Sequence, residues 1–207
     1  MSKIQVTFGI DVGGTNTVFG LVDNSGKCYV KEKISTNATE PAEKLFENLF
    51  THFNKTMTHL SDYEILGVGI GAPNANYYTG MVEQAPNLNW GNINLVKLVK
   101  KYLNIPVAIT NDANAAALGE MLFGNAKGMK NFIEITLGTG LGSGIVVDGK
   151  LVYGHDGFAG EFGHTTIKRK GRMCGCGRQG CLEAYVSASG IVRSAFELLL
   201  ESNAESV

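Results

Sequence analysis

"IQVTFGIDVGGTNTVFGLV", residues 4–22, is rich in β-branched and aromatic residues on both sides of a Gly-Gly break. That pattern predicts two strands joined by a tight turn at Gly13 and Gly14. Asp11 stands at the end of the first strand, and hydroxyl and amide donors follow the glycines at Thr15 and Asn16. Backbone N–H groups in such a turn can cradle phosphate oxygens, Thr15 can donate to them, and Asp11 can hold a magnesium ion that accompanies them. An ordinary hairpin turn fits the same residues when they are taken alone. A second stretch, "IEITLGTGLGSGIVV" at residues 133–147, repeats the layout of strand, Gly-Thr turn and strand, and offers Gly138, Thr139 and Gly140 for the same chemistry. Two such turns in one chain favour phosphate binding.

Strands and helices alternate around these turns. A third strand is expected after Asp23 to Gly26, a helix from about Pro41 to His59 with Leu45, Leu49, Phe53 and Leu60 near one face, and a buried strand at "YEILGVGIGAP". "NINLVKLVKKYL" has helical spacing, "IPVAIT" reads as a strand, and "NDANAAALGEMLFG" as a helix that opens with Asp112. Asp148-Gly149 predicts a hairpin, and "SASGIVRSAFELLLES" an amphipathic helix capped by Ser187 or Ser189. The class is α/β. Strand ends facing helix starts, as at Asn111-Asp112, are where open α/β sheets place ligand groups.

At 207 residues and 44% apolar, the chain can bury a real core. Eighteen basic against nineteen acidic residues give a net charge of -1, so neither nucleic acid nor an anionic membrane is an expected partner. No run approaches the roughly 18 apolar residues of a membrane span, and the N-terminus lacks the pattern of a signal peptide, so a cytoplasmic address is expected. The four glycines at 138, 140, 142 and 144 do not meet the dinucleotide fingerprint. Gly144 to Lys150 misses the P-loop, because Leu151 stands where a hydroxyl must bind magnesium.

Three of the four cysteines gather behind a histidine: His164, Cys174, Cys176 and Cys181 make H-x9-C-x-C-x4-C. Three thiolates and an imidazole are a closed tetrahedral zinc set, with glycines at 175, 177 and 180 allowing sharp turns. A disulfide is the alternative, but Cys174 and Cys176 are too close in sequence to pair readily, and a reducing compartment argues against one. Such a site is structural. Cys28, in a strand, reads as a small apolar filler. Asp112 is the candidate to act on an acceptor hydroxyl, and it fits equally a helix N-terminal acid stabilised by the macrodipole. Glu161, His164 and Glu183 flank the cysteine loop; acids pinned there can accept hydrogen bonds from sugar hydroxyls, or be plain surface acids.

With these residues assembled, the chain resembles bacterial sugar kinases of the ROK family, of glucokinase type, within the actin-like ATPase superfamily. "GIDVGGTNT", "GVGIGAPN", "QAPNLNW", "ITNDANAAALGE", "TLGTGLGSGIV", "AGEFGH" and "CGCGRQGCLE" carry the resemblance in order along nearly the whole chain. It implies an actin-like, ribonuclease H-like fold of two domains, 1–110 with the first phosphate turn and 111–207 with the second turn and the zinc loop, the second domain being incomplete. It implies ATP- and magnesium-dependent phosphorylation of a hexose, with glucose to glucose 6-phosphate favoured by Glu161 and Glu183. Asp112 becomes the general base, and Asn87, Asn111, Glu161, His164 and Glu183 become sugar contacts. His164, Cys174, Cys176 and Cys181 become the zinc ligands, and a dimer or tetramer is implied. The family's repressors carry a helix-turn-helix module before the first phosphate strand, which here begins at about residue 4, so a DNA-binding role is not expected. Asn74 departs from the family glycine after Ala-Pro, a position that Asn tolerates in a left-handed turn. The chain is expected to be a C-terminally truncated kinase, without the adenosine-binding segment and with an apolar face left bare.

Overall fold

The computed structural model describes residues 3–56 and 62–202. A five-stranded sheet is built from β1 (Ile4–Val12), β2 (Asn16–Val22), β3 (Cys28–Ser35), β4 (Tyr63–Gly71) and β7 (Val107–Thr110) in the order β3-β2-β1-β4-β7. β1 to β3 form an antiparallel meander, and β4 and β7 add parallel to β1. The C-terminal ends of β1, β4 and β7 therefore lie side by side, at Val12, Gly71 and Thr110. That edge is where parallel strands present ligand-binding residues.

Helix α1 (Ala42–Thr56) covers one face of this sheet with Leu45, Phe46, Leu49, Phe50 and Phe53, all buried at helical spacing. Phe8 of β1 meets Phe19, Phe50 and Phe53 with ring centroids 5.9, 6.1 and 4.4 Å away, so the aromatic side chains lock strand to helix. The end predicted for α1, to His59 with Leu60 on its face, lies outside the described residues. "NINLVKLVKKYL" splits rather than forming one helix. Asn92–Asn94 is a strand, β6, that pairs with β5 (Met81–Glu83), and only Leu95–Lys100 is helical, as α2. Asn94 ends the strand and caps the helix by accepting from the Lys97 amide at 2.8 Å.

α3 (Asp112–Phe123) follows β7 directly and packs on the second sheet, β10-β9-β8, formed by β8 (Phe132–Leu137), β9 (Leu141–Val147) and β10 (Lys150–Leu151). Contact between α3 and β9 is close because Gly144 has no side chain: a Cβ there would come within 2.5 Å of the Ala117 Cβ and 3.0 Å of the Ala113 carbonyl. α4 (Glu183–Val186) and α5 (Ala188–Ser202) close the described chain, with Ser187 rather than Ser189 accepting from the Gly190 amide at 3.2 Å. The other face of β8 is bare: Ile133, Ile135 and Leu137 are exposed, as are Ile191, Val192, Phe196, Leu198 and Leu200 of α5. A bare apolar face is therefore present among the described residues, on β8 and α5.

Candidate active site and zinc loop

The first Gly turn is held by a pair of buried threonines. Thr36 donates to the Gly13 carbonyl at 2.7 Å, shares a hydrogen bond with Thr17 at 2.9 Å, and its amide bonds the Thr15 carbonyl at 3.0 Å. Gly13 and Gly14 are needed for space rather than for left-handed backbone: neither has positive φ, a Cβ on Gly13 would lie 2.9 Å from the Asn16 carbonyl, and one on Gly14 would lie 3.1 Å from the Asn87 Cβ. Asn87 thus sits against the turn. It is carried there by a loop whose Asn89 amide bonds the Ala38 carbonyl at 2.8 Å and whose Trp90 indole bonds the Glu40 carbonyl at 3.1 Å. Thr15 is exposed at the tip, as is Thr139 in the second turn.

Asp11, at the end of β1, and Asp112, at the start of α3, approach one another across Gly71, where a Cβ would lie 3.8 Å both from an Asp11 oxygen and from the Asp112 Cα. Partial burial and the neighbouring Asp112 charge hold the Asp11 carboxyl above its usual range. Two acids sharing one strand edge suit a divalent cation, whose charge would relieve both. Asn111 caps α3 through its Oδ1, which accepts from the Ala113 amide at 2.9 Å, and an Asp112 oxygen accepts from the same amide at 2.9 Å. Asp112 nonetheless stays solvent-exposed, open to a substrate. An open groove of about 1390 Å³ reaches this edge, lined there by Asp11, Gly71, Thr110 and Asp112.

Glu161 faces the same region. Burial raises its carboxyl, His164 opposes that shift, and Asp112 and Glu183 add to it, so the four side chains form one electrostatic neighbourhood. His164 Nε2 lies 4.0 Å from Glu161 Oε2, whereas its Nδ1 lies 3.6 Å from Cys174 Sγ. The imidazole therefore presents one nitrogen to the thiols and the other to the acid. Glu183 is more committed: it accepts from the Leu141 amide at 2.9 Å and lies 3.6 Å from Cys174 Sγ.

His164, Cys174, Cys176 and Cys181 offer ligand atoms all within 4.8 Å of one another. A tetrahedral zinc with Zn–S of about 2.3 Å and Zn–N of about 2.0 Å has edges of about 3.8 Å between sulfurs and about 3.6 Å between sulfur and nitrogen. Cys176 and Cys181 are 3.7 Å apart and Cys174 and His164 3.6 Å, so the set could bind zinc with little movement. All four cysteines are free thiols. The loop is shaped by Gly177 and Gly180, whose φ values of 84° and 79° favour glycine; Gly175 has ordinary backbone and open space, so it is not required in the same way.

Arg172 and Arg178, which carry no signal in the sequence pattern, hold the loop in place. Arg178 donates to the His164 carbonyl at 3.0 Å. Arg172 donates to the carbonyls of Ala184 and Gly190 and to Glu197, and lies over the Tyr185 ring, tying the loop to α4 and α5. The left-handed backbone expected at Asn74 is present, at φ 51°.

A Gly-Thr turn on each of two sheets, with acids gathered between them at strand ends, defines an actin-like ATPase fold of sugar-kinase type. The chain belongs to the ROK family, whose model matches residues 7–205. It is 40% identical over 197 residues to a glucokinase of Halalkalibacterium halodurans, covering 93% of this chain and 60% of that protein. It is 38% identical to a xylose repressor of Caldicellulosiruptor bescii, covering 95% of this chain and 50% of that protein. Among solved structures, a ROK family glucokinase from Streptomyces griseus in complex with glucose and AMPPNP superposes with a TM-score of 0.79 at 38% identity, covering 96% of this chain and 62% of that one. A ROK family transcriptional regulator, a homolog of the E. coli MLC protein, superposes with a TM-score of 0.83 at 27% identity, covering 99% and 54%. The chain spans about 60% of the length of the glucokinases it matches. No described helix is long and apolar enough to cross a membrane.

Proposed function

We propose that this chain carries the acceptor-binding and catalytic part of an ATP-dependent hexose kinase, with glucose to glucose 6-phosphate as the favoured reaction. The observation that carries the reading is that exposed Asp112 lies beside Asp11 and close enough to Glu161, itself next to His164, for its charge to act on both acids. Asp112 accepts the proton of the sugar hydroxyl as that oxygen attacks the γ-phosphorus and ADP leaves. Both Gly turns supply amide donors to the phosphates, and Asp11 would hold magnesium, which offsets phosphate charge when bound. In this reading Glu161 and His164 Nε2 orient the sugar hydroxyls, with Asn87, against the first Gly turn, and Asn111, beside Asp112, as further contacts; Glu183 acts mainly through Leu141 and the loop. Zinc held by His164 Nδ1 and the three thiolates would keep the imidazole neutral and oriented. In this reading residues 1–110 and 111–207 belong to two domains that close over the sugar, and the protein assembles as a dimer or tetramer.

A second reading, a sugar-sensing regulator, is favoured by the repressor and regulator relatives. A coupled ADP-release assay with a hexose panel and ATP-magnesium, run on this chain and on Asp112→Asn, separates the two. Turnover lost in the variant supports the kinase. Sugar binding without turnover in either protein fits the sensor or a non-catalytic sugar-binding fragment of a kinase.

A further inference from the structure

We propose that Asn76 is a positioning residue that holds the Glu161–His164 segment to the five-stranded sheet, an inference that rests on the hexose reading for its effect on catalysis. Asn76 lies in the loop after β4 and is only 5% exposed. Its Oδ1 accepts from the amides of Tyr78 and Thr79 at 3.0 and 3.3 Å, which shapes its own turn. Its Nδ2 does something different: it donates at 2.9 Å to the carbonyl of Asp156, 80 residues away in the segment after β10. Gly157, at φ 86°, lets that segment approach, since a Cβ there would come within 2.8 Å of the Asn76 Oδ1.

Two neighbours reinforce the tie. Tyr78 donates its hydroxyl to the Gly154 carbonyl at 3.1 Å, and Tyr77 stacks on Tyr153 with centroids 4.2 Å apart and planes 14° from parallel. The far end of the segment is fixed within its own sheet, where the Ser143 hydroxyl donates to the Gly160 carbonyl. Glu161 therefore leaves a strap anchored once to the loop between β4 and β5, through Asn76, and once to β9, through Ser143. An aspartate at position 76 would accept the same two amides, so what the amide adds over a carboxylate is its donor to the Asp156 carbonyl. Tethering of this kind sets where Glu161 and His164 meet a sugar, so its loss weakens the contacts those two side chains make with it.

The test compares this chain with Asn76→Asp, which keeps the local turn and loses the donor, and with Tyr78→Phe, which removes only the hydroxyl. Amide hydrogen exchange is read without sugar, and affinity for glucose and for ATP is read by titration calorimetry. Asn76→Asp is expected to lose protection over residues 153–161 while 77–83 stay protected. It should weaken glucose binding about tenfold and leave ATP binding within about twofold. Tyr78→Phe should shift both readouts in the same direction by less. Unchanged exchange over 153–161 in Asn76→Asp overturns the tether whatever the sugar result. Lost protection with unchanged glucose affinity overturns its positioning role. If the unsubstituted chain binds no hexose, the hexose reading falls, and the positioning role falls with it even where the exchange result upholds the tether.

Discussion

The Glu183 carboxylate accepts a hydrogen bond from the Leu141 amide at 2.9 Å, which joins the first residue of α4 to the first residue of β9. The bond makes the second Gly turn and the zinc loop one unit, because Glu183 also lies 3.6 Å from Cys174 Sγ. Removing the acceptor strands a half-buried amide next to the turn expected to meet ATP. Glu183→Ala should lower stability by about 1–3 kcal/mol and weaken ATP binding, and Glu183→Gln, which still accepts from Leu141, should recover most of both. Denaturant titration and ATP calorimetry on the two variants check this.

Metal removal should loosen one part of the molecule and leave another intact. The five-stranded sheet has its own aromatic core around Phe8, whereas residues 164–181 bury no large apolar side chain and are held by backbone hydrogen bonds, by Arg172 and Arg178, and by the ligand set. A chelator should therefore raise hydrogen exchange in 164–182 and leave β1 to β4 protected. In the metal-free chain the thiols separate: burial pushes Cys174 up to about 12, while Cys176, despite the opposing effect of desolvation, is held at about 6 by hydrogen bonds from Arg178, Cys174 and Cys181. At neutral pH, iodoacetamide should modify Cys176 before Cys174 or Cys181, and zinc should protect all three.

Asp112→Asn retains the side-chain oxygen that accepts from the Ala113 amide but cannot take a proton. The expected result is a fall in kcat of about 10²- to 10⁴-fold with the melting temperature within a few degrees of the parent, read by steady-state kinetics and calorimetry. An equal loss of thermal stability would assign Asp112 to helix capping instead.

Gly144→Ala tests whether α3 must lie this close to β9. The added methyl meets Ala117 and the Ala113 carbonyl, so α3 must shift or the sheet must bend. Overpacking should cost about 1–3 kcal/mol and displace Asp112 at the start of the same helix, lowering activity more than stability alone explains. A crystal structure of the variant would measure the displacement.

Acid should weaken the β2–β3 turn through Asp23. The Ser25 hydroxyl, the Lys27 and Ser25 amides and the Tyr29 hydroxyl all donate to its carboxylate and hold it at about 2, against an ordinary value of 3.8. A lowered folded-state value adds stability above pH 3.8 that is lost as pH falls through about 2. Asp23→Asn should flatten the stability curve between about pH 4 and pH 2, as followed by urea titration. The group is surface-exposed, so the effect should shrink with added salt.

Local patterns were readable where one stretch of chain settles its own structure. The Gly-Gly break at residues 13 and 14, the helix opening at Asp112 and the Cys-x-Cys spacing each encode geometry within a few residues. Asn92–Asn94 carries helical spacing but forms a strand, because its strand character depends on pairing with Met81–Glu83, which periodicity cannot see. Arg172, Thr36 and Asn76 escaped notice for a related reason. Each looks like an ordinary polar residue until the fold brings its partners, which lie up to 25, 23 and 80 residues away. The glycines of both Gly-Thr turns are legible as turns, but their need for space against Asn16, Asn87 and Glu183 is not.

The bare row of Ile133, Ile135 and Leu137 lies on β8, which is also the edge of its sheet. A strand with unpaired backbone on one side and exposed aliphatic groups on one face is a template for sheet extension between molecules. A polypeptide ending at residue 207 should consequently be prone to inclusion bodies and concentration-dependent turbidity. Replacing Ile135 with lysine should improve the recovered yield while leaving the cluster around Asp112 unaltered.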